Sequence, residues 1–481
     1  MQLRLLVFIV GAMLFGGAAL AQTKTLPDNV AAAFASAQVP LEAVSLLLVD
    51  ADGKSAPRLS HRIDAPMNPA SVMKLVTTYA ALDLLGPNYT WRTPVWLDGP
   101  VKNGVLKGNL VIQGQGDPKL VLERLWLLLR RVQDLGVHKI DGDIVLDNSA
   151  FAPLEINPGD FDGEPLRPYN VAPDALLINY KSVVMTFTPD PPNAVARVQV
   201  DMPLQGVKIP ATVPLQGGKP STKPEMCGDY RSQLKADFTD PGHIRFAGSY
   251  PAICGEKVWP VAYIDPRSYN ARAVEGLWRN MGGQLSGSGH EGLAPATPAS
   301  FESVSPTLAE VIRDINKFSN NVMAQQVFLT LGRASQPLED TPPAPSTRVR
   351  ARDQLRTWWL QRINPQDAPT LDNGSGLSRQ ERISARGLGR LLQVAYSSPY
   401  MPELMSSLPI VGLDGTLKRS RATLASAHLK TGSLRDVVAL AGYVHASSGK
   451  QLCLVALVNH TNASAARPAL DALLDWVVSD N

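Results

Sequence analysis

The sequence predicts an α+β protein of several domains, in which an antiparallel sheet with packed helices is interrupted by an inserted α/β domain that carries a small β-rich domain. Three observations predict it. Apolar runs of strand length stand near both chain ends, an α/β succession fills the middle, and a stretch of short apolar runs broken by Pro and Gly sits inside that succession. With 481 residues the chain has room for about three domains at the usual 100–200 residues each.

At the N-terminus, Arg4 precedes an apolar run from Leu5 to Leu20, and Ala19 and Ala21 bracket Leu20. That pattern reads as a secretory signal over residues 1–21, cleaved after Ala21. The run is interrupted by Gly11, Gly16 and Gly17 and is shorter than the about 20 residues a span needs, so no transmembrane anchor is expected. Next, Val44 to Asp50 reads as a strand, Ala51 to Lys54 as a turn and Arg58 to Ile63 as the returning partner. Asn68-Pro69-Ala70 opens a helix from Ser71 to about Leu85, with Val72, Leu75, Val76, Tyr79 and Leu82 on an apolar stripe. The far end mirrors this: His428 to Gly432, Val437 to Ala446 and Gln451 to Val458 read as strands, followed by a helix from Ala466 to Val478.

Both ends therefore belong to one sheet, which the chain leaves near Gly86 and rejoins near Thr297. Between them, Asn109 to Gln113 is a strand, Leu120 to Leu135 a helix and Gly142 to Leu146 a strand. From Arg197 to Ile253 the helical period disappears, which suggests a nested β module. The expected division is 22–87 with 297–481, 88–190 with 258–296, and 191–257. The Pro-rich piece Gln336 to Ser346 reads as a surface loop.

Charged residues are 19% of the chain and nearly cancel at +3, which gives no electrostatic case for nucleic acid. Of three cysteines, Cys227 and Cys254 can close a loop in an oxidising compartment, whereas Cys453 lies in an apolar strand and is expected as a buried free thiol. No C-x-x-C or H-E-x-x-H occurs, so no metal or other cofactor is expected.

Three strings carry chemistry. In Ser71-Val72-Met73-Lys74 the lysine lies one helical turn beyond the serine on the same face, and a desolvated lysine near other cations can take a proton from a hydroxyl. Ser319-Asn320-Asn321 lies between two amphipathic segments, Leu308 to Lys317 and Val322 to Leu331. Such a corner suits a cleft wall, with Ser319 relaying a proton and Asn321 bonding Lys74 and a substrate carbonyl. In Lys430-Thr431-Gly432-Ser433 a cation and a hydroxyl seat a carboxylate, Gly432 lets a bound backbone approach, and the Ser433 amide joins that of Ser71 at an oxyanion. Each string alone is weak. A second S-x-x-K at Ser447 to Lys450 falls in a hairpin turn, and a second S-x-N at Ser268 to Asn270 reads as a helix cap. Gly114-x-Gly116 lacks the third glycine of a dinucleotide fingerprint, because Lys119 stands there, and is a strand-to-helix turn.

In this order, on these elements, the strings resemble the S-x-x-K, S-x-N and K-T-G motifs of the serine penicillin-recognising enzymes. Gly114 to Pro118, Asp147 to Ser149, Asp372 to Arg379 and Gly412 to Leu417 resemble the class C low-molecular-mass penicillin-binding proteins, the D-Ala-D-Ala carboxypeptidase/endopeptidase family, over nearly the whole mature chain. The resemblance implies a penicillin-binding, serine β-lactamase-like domain interrupted by the insertion. It also implies a periplasmic hydrolase of peptidoglycan stem peptides that β-lactams acylate at Ser71. The family further implies that Asp147 and Arg379 bind the ammonium and carboxylate of a diaminopimelate-type side chain, chemistry that suits an aspartate and a bidentate arginine. A Cys227–Cys254 disulfide is expected in the nested module. Two alternatives stand beside this reading, a β-lactamase and a non-catalytic wall-binding scaffold, and a homo-oligomer remains open.

Overall fold

The computed structural model describes residues 26–154, 156–217, 227–334 and 344–480. The leader, and most of the Pro-rich stretch beginning at Gln336, lie outside the described residues.

Five strands form the central antiparallel sheet: β1 (Val44–Asp50), β2 (Leu59–His61), β3 (Ala427–Leu434), β4 (Val437–His445) and β5 (Gln451–Asn459), in the order β3-β4-β5-β1-β2. β1 pairs with β5 from Val44 opposite Val458 to Asp50 opposite Leu452, so the two ends of the chain meet as expected. Leu47 and Val49 face one core together with Cys453, Val455 and Leu457. Val44, Leu46 and Leu48 face the other, with Leu452, Leu454, Ala456 and Val458. A strand covered on both faces has no solvent side, which is why these segments read as continuous apolar runs. Helices Asp28–Ser36 and Arg467–Ser479 close the second core.

The first core is filled by α1 (Lys74–Leu85), α2 (Leu308–Phe318) and α3 (Asn321–Ala334), with Arg348–Arg362 and Ala385–Tyr396 behind them. Contrary to the one-sided stripe expected for it, α1 is buried on every side from Lys74 to Leu82, because it runs between the sheet and the other helices. Removing an amine from water costs several kcal/mol. Leu75, Val76, Tyr79 and Leu82, all essentially unexposed, each contribute about 1.5–3 kcal/mol in return, so the helix stays anchored around Lys74.

The insertion is built on a mixed five-stranded sheet. Its order is Gly289–Glu291, Ile144–Asp147, Asn109–Gln113, Arg92–Asp98 and Phe301–Val304. Helix Leu122–Asp134 crosses over between the parallel pair Asn109–Gln113 and Ile144–Asp147. A second five-stranded sheet contains Ser182–Asp190, Val195–Val200, Thr212–Gln216, Tyr250–Pro251 and Lys257–Ala262. Phe301–Val304, Ser182–Asp190 and Lys257–Ala262 thus join sheets across the limits drawn from composition, since an apolar strand does not announce which neighbour it will pair with. The disulfide joins Cys227 to Cys254 beside this second sheet, and Cys453 is free and buried in β5. Ser447 to Lys450 forms the β4–β5 turn. Ser268 does not cap helix Pro266–Asn280; Pro266 starts that helix earlier, at an Asp265 cap, and the Ser268 hydroxyl donates to the Asp265 carbonyl within the first turn.

The insertion is pinned to α3 by paired polar contacts. The Asp174 amide donates to Gln326 Oε1 (3.0 Å) and Gln326 Nε2 donates to the Asp174 carbonyl (2.8 Å). No helix among the described residues is long and apolar enough to cross a membrane.

Candidate active site

Ser71 lies in a 3-10 turn, Ala70–Met73, and the α-helix proper begins one step later at Lys74. The turn is held from three sides. Ala70 adopts a left-handed φ of 46°, unusual for a residue with a Cβ, and its amide donates to Asn68 Oδ1 at 2.8 Å. Asn68 Nδ2 donates to the Ser378 carbonyl at 2.9 Å. A Cβ on Gly376 would lie 1.9 Å from the Ala70 oxygen, and one on Gly432 would lie 2.4 Å from the Pro69 oxygen and 3.2 Å from the Ser71 nitrogen. The close approach that requires Gly432 is therefore made to the nucleophile turn, in addition to any bound backbone.

The helical step brings Lys74 Nζ to 2.8 Å from Ser71 Oγ. The same nitrogen donates to Asn321 Oδ1 (2.6 Å) and to the Ser375 carbonyl. Lys74 is fully buried. Burial first, and the Lys430 cation second, hold its amine well below the ordinary lysine range, against a smaller opposing pull from the Glu381 carboxylate. A neutral amine has two hydrogens and one lone pair. Two carbonyl acceptors and one hydroxyl match that inventory, leaving the lone pair for the Ser71 proton.

Ser319 closes α2 in a left-handed conformation, φ 57°, which turns the chain between α2 and α3. Its hydroxyl accepts from Lys430 Nζ at 3.0 Å, and Lys430 also donates to the Thr431 carbonyl at 2.7 Å. Lys430 has no exposed surface, and burial pushes its amine down to about 7. It stands behind the wall of the site and reaches it through Ser319. The Thr431 hydroxyl lies 2.7 Å from that of Thr416, and Ser433 Oγ accepts from Arg467 Nη2 at 3.0 Å. Asn321 Nδ2 donates to the Tyr169 carbonyl at 3.4 Å, so the insertion touches the catalytic centre directly.

Ser71, Lys74 and Asn321 thus form one hydrogen-bonded set and Ser319 with Lys430 a second, and the Lys430 charge felt at Lys74 couples the two. Asp147 and Arg379 are not brought together. Asp147 is 2% exposed, and its carboxylate accepts from Gln113 Nε2 (2.9 Å), the Ser149 amide (2.8 Å) and the Ala294 amide (2.9 Å). It ties strand ends of the insertion, because a carboxylate with both oxygens so engaged in the interior is a structural pin. Arg379 lines a cavity of about 360 Å³ between the insertion and the catalytic unit, with Asp160, Phe161 and Asp372. Its guanidinium pairs with Asp436 at 2.9 Å and lies over the Phe161 ring at 4.7 Å. Asp160 and Asp372, not Asp147, are the acids that share this cavity.

Residues 26–478 match the D-Ala-D-Ala carboxypeptidase 3 (S13) family. The chain belongs to this family. It is a serine hydrolase whose relatives include the D-alanyl-D-alanine carboxypeptidase DacB of Haemophilus influenzae, 25% identical over 409 residues, covering 81% of this chain and 80% of the relative. A D-alanyl-D-alanine carboxypeptidase of Actinomadura sp. is 26% identical over 411 residues, covering 79% of this chain and 71% of that protein. The fold matches the crystal structure of penicillin binding protein 4 from Haemophilus influenzae with a TM-score of 0.71 at 22% identity, over 93% of this chain and 99% of that one. The family's shared fold accounts for the interrupted sheet. Asn68, Glu381 and Asn459, which shape this site, were not singled out by motif, because their side chains act on backbone groups and carry no recognisable spacing.

Proposed function

We propose that this member of the family hydrolyses D-Ala-D-Ala termini, D-Ala-diaminopimelate cross-links, or both, in peptidoglycan stem peptides. The observation that carries it is the 2.8 Å contact of Ser71 Oγ with a buried Lys74 amine whose other two partners are acceptors. Neutral Lys74 removes the Ser71 proton as Oγ attacks the penultimate D-Ala carbonyl. The Ser71 and Ser433 amides receive the oxyanion. Thr431 and Thr416 meet the terminal carboxylate, with the Lys430 charge behind them. A proton passes through Ser319 to the departing amine, and water releases the acyl group from Ser71. β-Lactams acylate the same oxygen.

Arg379 reads the carboxylate end of a diaminopimelate-type side chain in the cavity it lines. The protein acts in the periplasm after loss of residues 1–21, and its domains divide as 22–87 with 305–481, 88–181 with 263–304, and 182–262, following sheet membership.

The test is labelling of the purified mature protein by a fluorescent penicillin, with mass analysis of muropeptide monomers and cross-linked dimers. Labelling abolished by Ser71→Ala and loss of a terminal D-Ala or of the cross-link are expected. Labelling that survives Ser71→Ala overturns the mechanism.

A further inference from the structure

One buried side chain holds the loop that passes behind Lys74. Glu381 has no exposed surface. Its Oε1 accepts from the amides of Asp372 (3.1 Å), Asn373 (3.1 Å) and Gly374 (2.8 Å), and its Oε2 from that of Gly376 (2.9 Å). Burial raises this carboxyl above the ordinary range, and the amide donors pull against that rise; all four partners are donors, which suits the acceptor-only carboxylate form. The loop is closely packed at its two glycines. A Cβ on Gly374 would lie 2.4 Å from the Phe328 ring and one on Gly376 1.9 Å from the Ala70 oxygen, and both glycines have positive φ. Between them, Ser375 turns its hydroxyl to Asn373 Oδ1 (2.7 Å) and its carbonyl to Lys74 Nζ.

We propose that Glu381 is a positioning residue of the catalytic centre, whose carboxylate gathers four amides and so fixes the Ser375 carbonyl against Lys74 while placing a buried negative charge behind the general base. The proposal rests on the function given above and assigns a role to a residue outside the three motifs. Groups facing Lys74 are the Lys430 cation from β3, the Glu381 carboxylate from this loop, and the uncharged Ser71, Asn321 and Ser375. Besides Lys74, Glu381 faces Asp372 and Arg348. Burial and Lys430 favour the neutral amine, and Glu381 alone among these charges favours the protonated one. Charge and reach are therefore separable.

The experiment measures the rate of penicillin acylation against pH for the parent, Glu381→Gln and Glu381→Asp. Glu381→Gln removes the charge, so Lys74 stays neutral to lower pH and the acid limb moves down. At a pH on the parent's acid limb, the fraction of its own maximum that the variant retains rises by up to about tenfold. Glu381→Asp keeps the charge and shortens the reach, leaving the acid limb in place while the maximum falls by up to about 100-fold as the loop withdraws. A loop that is merely loosened admits water and moves the limb up. An unmoved or raised limb in Glu381→Gln overturns the electrostatic role, and a parental rate in Glu381→Asp overturns the positioning role. If Glu381→Gln does not fold, Glu381→Ala, equally uncharged, is read for the limb, and the Glu381→Asp maximum decides the positioning role. Ser71-dependent labelling of the parent is read first, so its absence overturns the proposed function, whereas its presence with an unmoved Glu381→Gln limb and a parental Glu381→Asp rate overturns only the role of Glu381.

Discussion

Asn68 and Asn459, 391 residues apart, exchange two hydrogen bonds: the Asn68 amide donates to Asn459 Oδ1 at 2.8 Å, and Asn459 Nδ2 donates to the Asn68 carbonyl at 2.9 Å. The end of β5 thereby grips the residue whose own side chain holds the Ala70 amide in the nucleophile turn. Asn459→Ala leaves both Asn68 backbone groups without these partners. We expect a loss of about 1–3 kcal/mol in stability, together with slower acylation of Ser71. Thermal unfolding and the second-order rate of penicillin labelling check this. A variant that melts lower yet labels at the parental rate would show that the clamp serves the sheet and not the turn.

Lys430 gives a pH dependence with a definite sign. Its amine titrates near 7 when folded, against 10.5 for the ordinary side chain. Between about 7 and 10.5 the unfolded chain binds a proton that the folded chain does not, so this residue makes stability rise with pH across that window and burdens the fold below it. Lys430→Met should flatten the rise in melting temperature from near neutral to alkaline pH. Loss of the neighbouring cation also lets the Lys74 amine recover upward, which acts in the same direction. An equally steep profile in the variant contradicts the depressed amine.

Arg379 is tested by choice of substrate. Arg379→Ala is expected to slow turnover of peptides with a free diaminopimelate-like carboxylate by at least about tenfold, the weight of a charge-assisted contact worth roughly 1.5–3 kcal/mol. Acylation by a simple penicillin without that group should change little. Equal losses on both would assign Arg379 to the support of the site through Asp436 and Phe161. Asp147→Ala, by contrast, should lower stability and affect both substrates alike.

The Cys227–Cys254 bond closes a separation of 27 residues, worth about 3–4 kcal/mol in the chain-entropy account. Replacing both cysteines with serine should lower the melting temperature of the nested sheet and leave penicillin labelling of Ser71 intact. Differential scanning calorimetry with a labelling assay on the same sample measures both. Recovery of two free thiols from exported protein would remove the premise.

What was legible in the sequence followed local chemistry. Ser71 and Lys74 are one turn apart on one helix, and the strands of the central sheet are long apolar runs, so spacing alone exposes them. Ser319 and Asn321 are visible as a polar break between two periodic segments. The three donors around Asp147 were not legible, because an aspartate at a strand end looks the same whether it holds a ligand or neighbouring groups of the chain. Glu381 and Asn459 were silent for a related reason: their partners are backbone amides and carbonyls, which every residue carries, so no side-chain pattern marks the pairing. The sheet limits shifted because pairing is a property of two strands, and each strand's own residues describe only one.

The clamp between Asn68 and β5 also orders events in time. A ribosome making about 5–20 residues per second needs roughly 20–80 s to travel from one asparagine to the other. For most of that interval the serine and its lysine lack Asn321, the Ser375 carbonyl or Lys430, and throughout it the turn that bears the serine has no complete β5 to grip it. In a chain of this design the nucleophile is made early, and the strand that grips its turn is the last one to be made.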